Sequence, residues 1–245
     1  MLQENIATRY PDVALFPQAH NLGYTKGINL GLQKCAGKYV LLLNPDVVLT
    51  PTCLTELLEQ LQGDEHIGAV APQLRNTDGT IQPSCRRLPH KHDVLFRVLG
   101  FSTVFRSSAL FNGWYMPDFD HSTSRFVEQP QGAFLLVKRA VLESVGRLDD
   151  QFPMFFSDVD WCRRIMQTGW HIRFCAEAFA YHHQGASVRQ RRAEMIVSSH
   201  RSFYDYFAKY DKKSADRIGT LFVGLLLLIV LVPRLIYETL RLTRK

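Results

Sequence analysis

Hydrophobic residues in the first part of the chain alternate between compact apolar runs and helical spacing. Val13–Phe16 is a short apolar run that predicts a strand, and Tyr24–Ala36 carries apolar residues at helical spacing before a glycine. Tyr39–Leu43 is a continuous apolar run of the kind found in a central parallel strand. The pattern therefore predicts the order strand, helix, strand.

The same order continues along the chain. Thr50 and Pro51 predict the start of a helix that ends near Leu61, with threonine as the cap and proline at the first helical position. Ile67–Ala71 follows as another buried strand. Strands and helices that alternate over short connections predict an α/β sheet with crossover helices.

The second half begins with a long irregular stretch. From Pro83 to about Arg125 no hydrophobic period holds, which is typical of a functional loop or insertion that lines a site. Trp114 and Tyr115 are candidates to line such a site, with ordinary core packing as the alternative. Regular elements are predicted after it: a strand at Gly132–Val137, a short helix to Val145, a helix at Asp158–Thr168 and a strand at Ile172–Tyr181.

The C-terminal part has a different character. Arg189–Tyr210 predicts a basic amphipathic helix, and Ile218–Val232 is a run without a charged residue. As a helix this run reaches about 22 Å, whereas the hydrocarbon core of a bilayer is about 30 Å thick, and extension to Tyr237 closes the gap. A membrane span, a re-entrant or interfacial segment and a buried core helix all stay open.

Charge separates the two parts. The formal net charge of the chain is +6, and it divides into −1 for residues 1–188 and +7 for residues 189–245. Basic residues beside an apolar segment favour an anionic membrane surface, so membrane lipids are expected as partners and nucleic acid is not. Five cysteines without a C-x-x-C pair favour a reduced chain on the cytosolic side.

Two polar clusters accompany the first elements. Asp46 lies just beyond the Tyr39–Leu43 strand, where open α/β sheets place ligand crevices, and its carboxylate suits a metal; an ordinary Asn-Pro-Asp turn is the alternative. Asn21–Asn29 groups glycines and Lys26 around a helix start, where free N–H groups and a cation meet phosphates. For this second cluster, ordinary helix entry is the alternative.

Two further clusters come from the second half. Asp158 and Asp160 follow an apolar run and open a helix, a pattern that fits both helix capping and a catalytic carboxylate. His182 and His183 end a predicted strand, where adjacent side chains point to opposite faces. At most one of these histidines is therefore expected to bind a metal.

In order and spacing, these elements resemble the family 2 glycosyltransferases, most closely the rhamnosyltransferase-like members that build bacterial surface polysaccharides. The resemblance covers about Met1 to Tyr210. It rests on the following pieces: Asn21-Leu-Gly-Tyr-Thr-Lys-Gly-Ile-Asn29, Leu43-Asn-Pro-Asp46, Gln131-Gly-Ala-Phe134, Val145-Gly-Arg-Leu-Asp149, Phe155-Phe-Ser-Asp-Val-Asp160 and His182.

The resemblance implies a GT-A fold, a Rossmann-like α/β sheet that holds a nucleotide-diphosphate sugar on a divalent cation, Mg²⁺ or Mn²⁺. It implies that Asp46 and His182 bind the metal and that Asp158 is the general base. The reaction would be a metal-assisted, inverting transfer of a sugar, with rhamnose as one candidate, to a glycan or lipid-linked acceptor. The residues expected to contact the donor are Asn21, Gly23, Lys26, Gly27, Asn29, Asn44 and Asp46.

The implied organisation is a partial GT-A domain over residues 1–188, a basic amphipathic helix over 189–217, a hydrophobic membrane-associated segment over 218–237 and a basic tail over 238–245. Family members normally begin with a strand, a helix and a second strand ending in an Asp-Asn-x-Ser-x-Asp stretch, and the fold is expected to be amino-terminally truncated by their loss. Ser157 replaces the usual glutamate before the base, and Ile28 replaces an asparagine. The enzyme is expected at the cytoplasmic face of a bacterial inner membrane, with an impaired remnant acting as a membrane-bound binding partner as the alternative.

Overall fold

The computed structural model describes residue 6, residues 8–183 and residues 192–242. A mixed β-sheet with helices on both faces forms its centre. The strands in these residues are β1 (Tyr39–Leu43), β2 (Val47–Leu49), β3 (Ile67–Arg75), β4 (Cys85–Arg86), β5 (Arg125–Phe126), β6 (Gln129–Pro130), β7 (Phe134–Lys138) and β8 (His171–His182).

The main sheet has the strand order β1-β7-β3-β8-β2, and β5 pairs with β8 beside this path. β3 and β8 are parallel, whereas β7 runs antiparallel to both of its neighbours, β1 and β3. β2 pairs antiparallel with the last residues of β8, and β4 and β6 form a separate two-stranded ribbon. This topology brings the ends of β1 and β8 and the start of β7 to the region where the polar motifs lie.

The helices are α1 (Tyr24–Lys34), α2 (Cys53–Gly63), α3 (Lys91–Val98), α4 (Phe101–Val104), α5 (Arg139–Val145), α6 (Ser157–Gln167), α7 (Arg192–Tyr210) and α8 (Ser214–Leu242). On one face of the sheet, Leu57 and Leu61 of α2 are fully buried against residues of β3 and β8. On the other face, Trp161 and Ile165 of α6 pack with residues of α1 and α5. The apolar spacing of each helix thus covers one side of the sheet.

The structure confirms the α/β class and corrects several details of the sequence prediction. Val13–Phe16 forms no strand; both end residues are about half exposed, and this run pairs with no strand in the described residues. The second helix begins at Cys53 with Thr52 at the cap position, and the Thr50 hydroxyl instead donates to the carbonyl of Phe179 at 2.7 Å. β1 ends the strand path and pairs antiparallel with β7, so the prediction of a central parallel strand was wrong.

The two C-terminal helices form a hairpin that packs on the sheet domain. Phe203 and Phe207 of α7 are buried with Val223 and Leu227 of α8 in one cluster, which also contains Phe156 at the start of α6. Residues 184–191 lie outside the described residues, so the structure does not show how the predicted helix begins at Arg189. Residues 243–245 of the predicted basic tail lie outside them too, and the domain boundaries stay predictions.

Within the described residues, one helix, Ser214–Ile236, is long and apolar enough to cross a membrane. Only 17% of its most apolar window is buried by the rest of the protein. A core helix of a soluble protein would be mostly buried. Most of the apolar surface of this helix is therefore open to contact with lipid or with another protein.

Candidate active site

Asp46 and His182 are neighbours because β2 pairs with the end of β8. The register places Val47 opposite His182, and the backbone N–H of His183 donates to the carbonyl of Asp46 at 2.9 Å. As a result, the His182 Nε2 atom lies 3.5 Å from Asp46 Oδ1. The side chain of His182 is buried, whereas His183 is exposed, as the alternation of a strand requires.

The tautomer of His182 follows from its contact with Gln82. The Gln82 amide nitrogen donates to Asn76 Oδ1 and to the carbonyl of His182, both at 2.7 Å. Its Oε1 atom therefore faces His182 Nδ1, 3.0 Å away, and accepts a hydrogen bond from it. The Nε2 lone pair is then directed toward Asp46.

Two electron-pair donors thus face each other without a proton between them. Asp46 Oδ1 is buried and has no hydrogen-bond partner in the described residues. Burial lowers the pKa of His182, although the neighbouring Asp46 carboxylate opposes this shift, so the imidazole is neutral at pH 7. A neutral imidazole nitrogen beside an unpaired carboxylate oxygen is a donor set that suits a divalent metal ion.

Asp158 occupies a separate polar pocket at the start of α6. Its Oδ2 atom accepts hydrogen bonds from the Gly132 backbone N–H at 3.0 Å and from the Gln129 amide at 3.2 Å, and its Oδ1 atom accepts one from Val159 N–H at 2.9 Å. Burial raises the pKa of Asp158, and these hydrogen bonds oppose that shift. The carboxylate is thereby held in one orientation and made more basic than an exposed aspartate.

Gly132 makes this pocket possible. A Cβ atom at this position would lie 3.0 Å from both the Asp158 Cβ and the Tyr24 hydroxyl. The Tyr24 hydroxyl donates to the Gly132 carbonyl at 2.8 Å, so one glycine joins α1 to the pocket of Asp158. Burial, followed by the nearby Asp158 charge, raises the pKa of Tyr24 and keeps its phenol protonated.

The two carboxylates lie at the same end of the sheet. Leu43 at the end of β1 pairs with Phe134 at the start of β7, and the N–H of Asn44 donates to the carbonyl of Ala133 at 2.9 Å. Asp46 therefore follows one strand, while the segment that binds Asp158 precedes its neighbour. This arrangement matches the general position of ligand crevices at strand ends.

The glycine-rich segment forms the start of α1. Gly23 has a φ of 78°, and its N–H binds the Asn21 side chain at 2.9 Å. A Cβ at Gly27 would meet open space. Lys26 lines an open groove beside Asp149 and Asp150. The predicted donor contacts of Asn21, Gly23, Lys26 and Gly27, like that of Asn44, stay predictions.

Asn29 and Asp160 instead hold the domain together. The Asn29 side chain is buried and exchanges hydrogen bonds with the backbone of Leu148 at 2.8 and 3.0 Å. Asp160 is fully buried, pairs with Arg164 at 2.8 Å and accepts hydrogen bonds from Lys209 and Tyr210 of α7. The resemblance named Asp158 and not Asp160 as the base, and the structure gives the two carboxylates different partners.

Three supporting residues were not predicted from the sequence. Gln82 lies in an irregular segment, Gln129 lies in the two-residue strand β6, and Tyr24 reads as an ordinary helix residue. Their contacts join residues that are far apart in the chain, so hydrophobic spacing contains no signal for them. Tyr24 and Gly132 do belong to the motifs Asn21–Asn29 and Gln131–Phe134, which was the available hint.

Relatives with named activities match most of this chain. The N-acetylglucosaminyl-diphospho-decaprenol L-rhamnosyltransferase of Mycobacterium tuberculosis is 29% identical over 219 residues, which cover 82% of this chain and 68% of that protein. The low-salt glycan biosynthesis hexosyltransferase Agl10 of Haloferax volcanii is 24% identical over 236 residues, which cover 94% of this chain and 71% of that protein.

Two solved structures share the fold. The mannosyltransferase PcManGT from Pyrobaculum calidifontis, in complex with GDP-Man and Mn²⁺, has a TM-score of 0.52 at 16% identity, over 91% of this chain and 55% of its own. GalNAc-T7 with UDP, GalNAc and Mn²⁺ has a TM-score of 0.52 at 14% identity, over 74% of this chain and 34% of its own. This chain thus spans about half and a third of the lengths of those two proteins. These likenesses confirm the predicted GT-A fold.

The family follows from the sequence as a whole. A profile described as "Glycosyltransferase like family 2" matches residues 2–197, which include every predicted site residue. The chain therefore belongs to glycosyltransferase family 2.

Proposed function

We propose that this protein transfers a sugar from a nucleotide-diphosphate donor to a glycan or lipid-linked acceptor in cell-surface polysaccharide synthesis. The reaction is a metal-assisted displacement with inversion at the anomeric carbon. The observation that carries the proposal is the pair of Asp46 and His182, whose Oδ1 and Nε2 atoms lie 3.5 Å apart at the strand ends of a GT-A fold.

A divalent cation fits these residues. Asp46 Oδ1 is a buried oxygen that has no hydrogen-bond partner among the described residues, and the contact with Gln82 directs the His182 Nε2 lone pair toward it. Mg²⁺ and Mn²⁺ need only one or two protein ligands when substrate phosphates supply others. When bound here, the cation offsets the negative charge that develops on the diphosphate leaving group. The two Mn²⁺-bound structures of this fold are consistent with that assignment.

Asp158 is the general base in this proposal. Its carboxylate accepts the proton of the acceptor hydroxyl while that oxygen forms a bond to the anomeric carbon and the bond from this carbon to the diphosphate oxygen breaks. The raised pKa increases its basicity, and the N–H groups of Gly132 and Val159 fix its orientation. Asp46 and Asp158 thus have separate tasks.

The relatives guide the choice of substrates. The Mycobacterium tuberculosis relative is named as a rhamnosyltransferase that acts on a diphospho-decaprenol carrier, so a nucleotide-linked rhamnose and a polyprenyl-diphosphate glycan are the first pair to test. The donor would contact Asn21, Gly23, Lys26, Gly27 and Asn44. An apolar carrier fits a membrane-associated enzyme, and α8 is the described helix that could reach lipid. We place the catalytic domain on the cytoplasmic face of a bacterial inner membrane.

The metal assignment is tested with a pair of adjacent histidines. His182→Ala and Asp46→Ala should abolish Mn²⁺-dependent binding of a nucleoside diphosphate in titration calorimetry. His183→Ala is the matched control and should bind normally, because its side chain is exposed. Unchanged binding by the His182 and Asp46 variants would refute the metal site. Metal-dependent donor binding without transfer to any acceptor would instead support the impaired binding partner.

A further inference from the structure

Residues 96–111, at the end of α3 and through α4, form an exposed apolar projection that we call the aromatic knob. Its four phenylalanines contact one another, with ring centroids between 5.0 and 6.5 Å apart. Soluble proteins normally bury such a cluster, since each phenylalanine gains about 2–3 kcal/mol from leaving water. The members are Phe96, Phe101, Phe105 and Phe111.

The outer side of the knob is unusually apolar for a surface. Val104 is 72% exposed and Leu110 is 64% exposed. Three other large apolar residues of this segment are also exposed: Leu99, Phe101 and Phe105. A contiguous apolar patch of this kind marks an interaction surface more often than ordinary solvent contact.

The charged residues of this region are all positive. Residues 94–117 contain no aspartate or glutamate, and their two charged residues are Arg97 and Arg106. Arg97 is held by the Tyr115 hydroxyl at 2.6 Å. Aromatic and aliphatic residues flanked by arginine match the interface of a membrane that contains anionic lipids.

Helix α8 presents a similar surface. Its exposed apolar residues recur at helical spacing along one side: Ile218, Leu221, Phe222, Leu225, Leu228, Ile229, Val232 and Ile236. The opposite side carries Thr220, Val223 and Leu227, which are buried against the protein. Because the protein covers one side of its first half, that part of α8 meets lipid only through its outer face.

Helix α3 connects the knob to α8. The Lys91 ammonium donates to the carbonyl of Asp216 at 2.6 Å in the first turn of α8. One turn further along α3, Val94 is buried with Val223 and Leu227.

Lys91 contacts the first turn of α8, and Val94 packs in one cluster with Val223 and Leu227 further along that helix. The two helices therefore run in the same direction, and the knob follows the end of α3.

We propose that the aromatic knob and the outer face of α8 enter the same lipid surface, so that α8 lies along the membrane and does not cross it alone. This proposal rests on the membrane placement of α8 proposed above. Two exposed apolar surfaces on elements that α3 holds together favour lipid as the occupant, and Arg97 and Arg106 select an anionic headgroup region. Contact through two surfaces would fix the orientation of the protein on the membrane, whereas contact through one helix would leave it free to rotate.

The test uses the full chain with vesicles of phosphatidylethanolamine and phosphatidylglycerol at about 3:1. Hydrogen–deuterium exchange of residues 99–111 should slow when vesicles are added. The double variant Val104→Glu/Leu110→Glu should float with vesicles about tenfold less well and lose this protection, because it puts two charges into the interface. Val13→Glu/Phe16→Glu is the matched control, since it replaces two exposed apolar residues outside the knob and α8.

Three results would overturn the proposal. The wild-type chain could float while exchange of residues 99–111 stays unchanged, or the knob variant could float like the control. Protection that appears without vesicles, as the protein concentration rises, would show that the knob binds a second copy of the chain. None of these measurements depends on turnover, so they test the membrane contact even if the proposed catalytic function is wrong.

Discussion

Asp158→Asn separates a general base from a structural carboxylate. Three N–H groups point at the aspartate: Gly132 and the Gln129 amide toward Oδ2, and Val159 toward Oδ1. Asparagine offers only one acceptor oxygen, so its amide must face at least one of these donors. An unpaired buried donor costs about 1–3 kcal/mol, and loss of the desolvated charge offsets part of this cost. We therefore expect the free energy of unfolding to fall by about 1–2 kcal/mol.

The effect on catalysis should be larger. Loss of a positioned base lowers turnover by about 10²–10⁴-fold, which corresponds to about 2.7–5.4 kcal/mol in the activation free energy. Asp160→Asn is the matched control, because Asp160 lies two residues away in α6 and is also buried. That change weakens the contacts with Arg164, Lys209 and Tyr210 and should cost about 2–4 kcal/mol of stability, since both cations remain partly exposed. Its turnover should stay near the wild-type value where the protein is folded.

The assay combines thermal melting with steady-state transfer from a nucleotide sugar. The expected pattern is a slow but fairly stable Asp158→Asn variant and a less stable but active Asp160→Asn variant. Wild-type kcat in the folded Asp158→Asn variant would refute the base assignment. If only the Asp160→Asn variant lost kcat, the general base would be Asp160 and not Asp158.

Three further outcomes are expected. Gln82→Leu frees His182 Nδ1 from its acceptor and should weaken Mn²⁺ binding about tenfold in calorimetry, while normal affinity would contradict the proposed tautomer. Gly132→Ala forces Asp158 and its neighbours apart and should reduce both kcat, by about tenfold, and stability, by about 1–3 kcal/mol; a silent substitution would contradict the crowding. Because burial raises the pKa of Asp158, the acid limb of the kcat/KM profile should lie above the ordinary aspartate range. The Gln129→Leu variant removes a hydrogen-bond donor to the carboxylate and should move this limb to still higher pH.

The sign of the stability effect follows from the same shift. A carboxyl group whose pKa is raised by folding stabilises the protein fully below its unfolded pKa, and this contribution is lost as the pH rises through the folded value. Asp158→Asn should therefore lose least stability at neutral and higher pH. A melting series against pH, compared with wild type, measures this difference.

Local patterns predicted the elements more successfully than their arrangement. The apolar runs at Tyr39–Leu43 and Ile67–Ala71 are strands, and the helices near Val145 and Asp158 are present. A five-residue apolar run does not specify a direction or a neighbour, however, so the sequence could not show that β7 enters antiparallel between β1 and β3. Pairing partners depend on the whole chain, whereas periodicity is local.

The same limit applies to the site. The position of Asp46 after a strand predicted its place at a sheet end. The contact of His182 with Gln82 joins residues 100 positions apart and depends on the path of the irregular segment. Thr50 shows the reverse case: the local sequence predicts a cap there, whereas the helix begins at Cys53 and the Thr50 hydroxyl binds the Phe179 carbonyl. Motif residues predicted the candidate site, and the contacts that orient them required the fold.

The two-sided nature of α8 has a practical consequence for making the protein. Deletion of the whole helix would uncover the apolar cluster that Val223 and Leu227 now cover on α3 and α7, and would remove the Thr220 contact with Asp211. A truncated chain would lose the exposed outer face of α8 but would expose the apolar cluster beneath it. Polar substitutions confined to the outer residues, such as Leu221, Leu225 and Leu228, would leave the inner contacts intact and are the better way to reduce the exposed apolar surface.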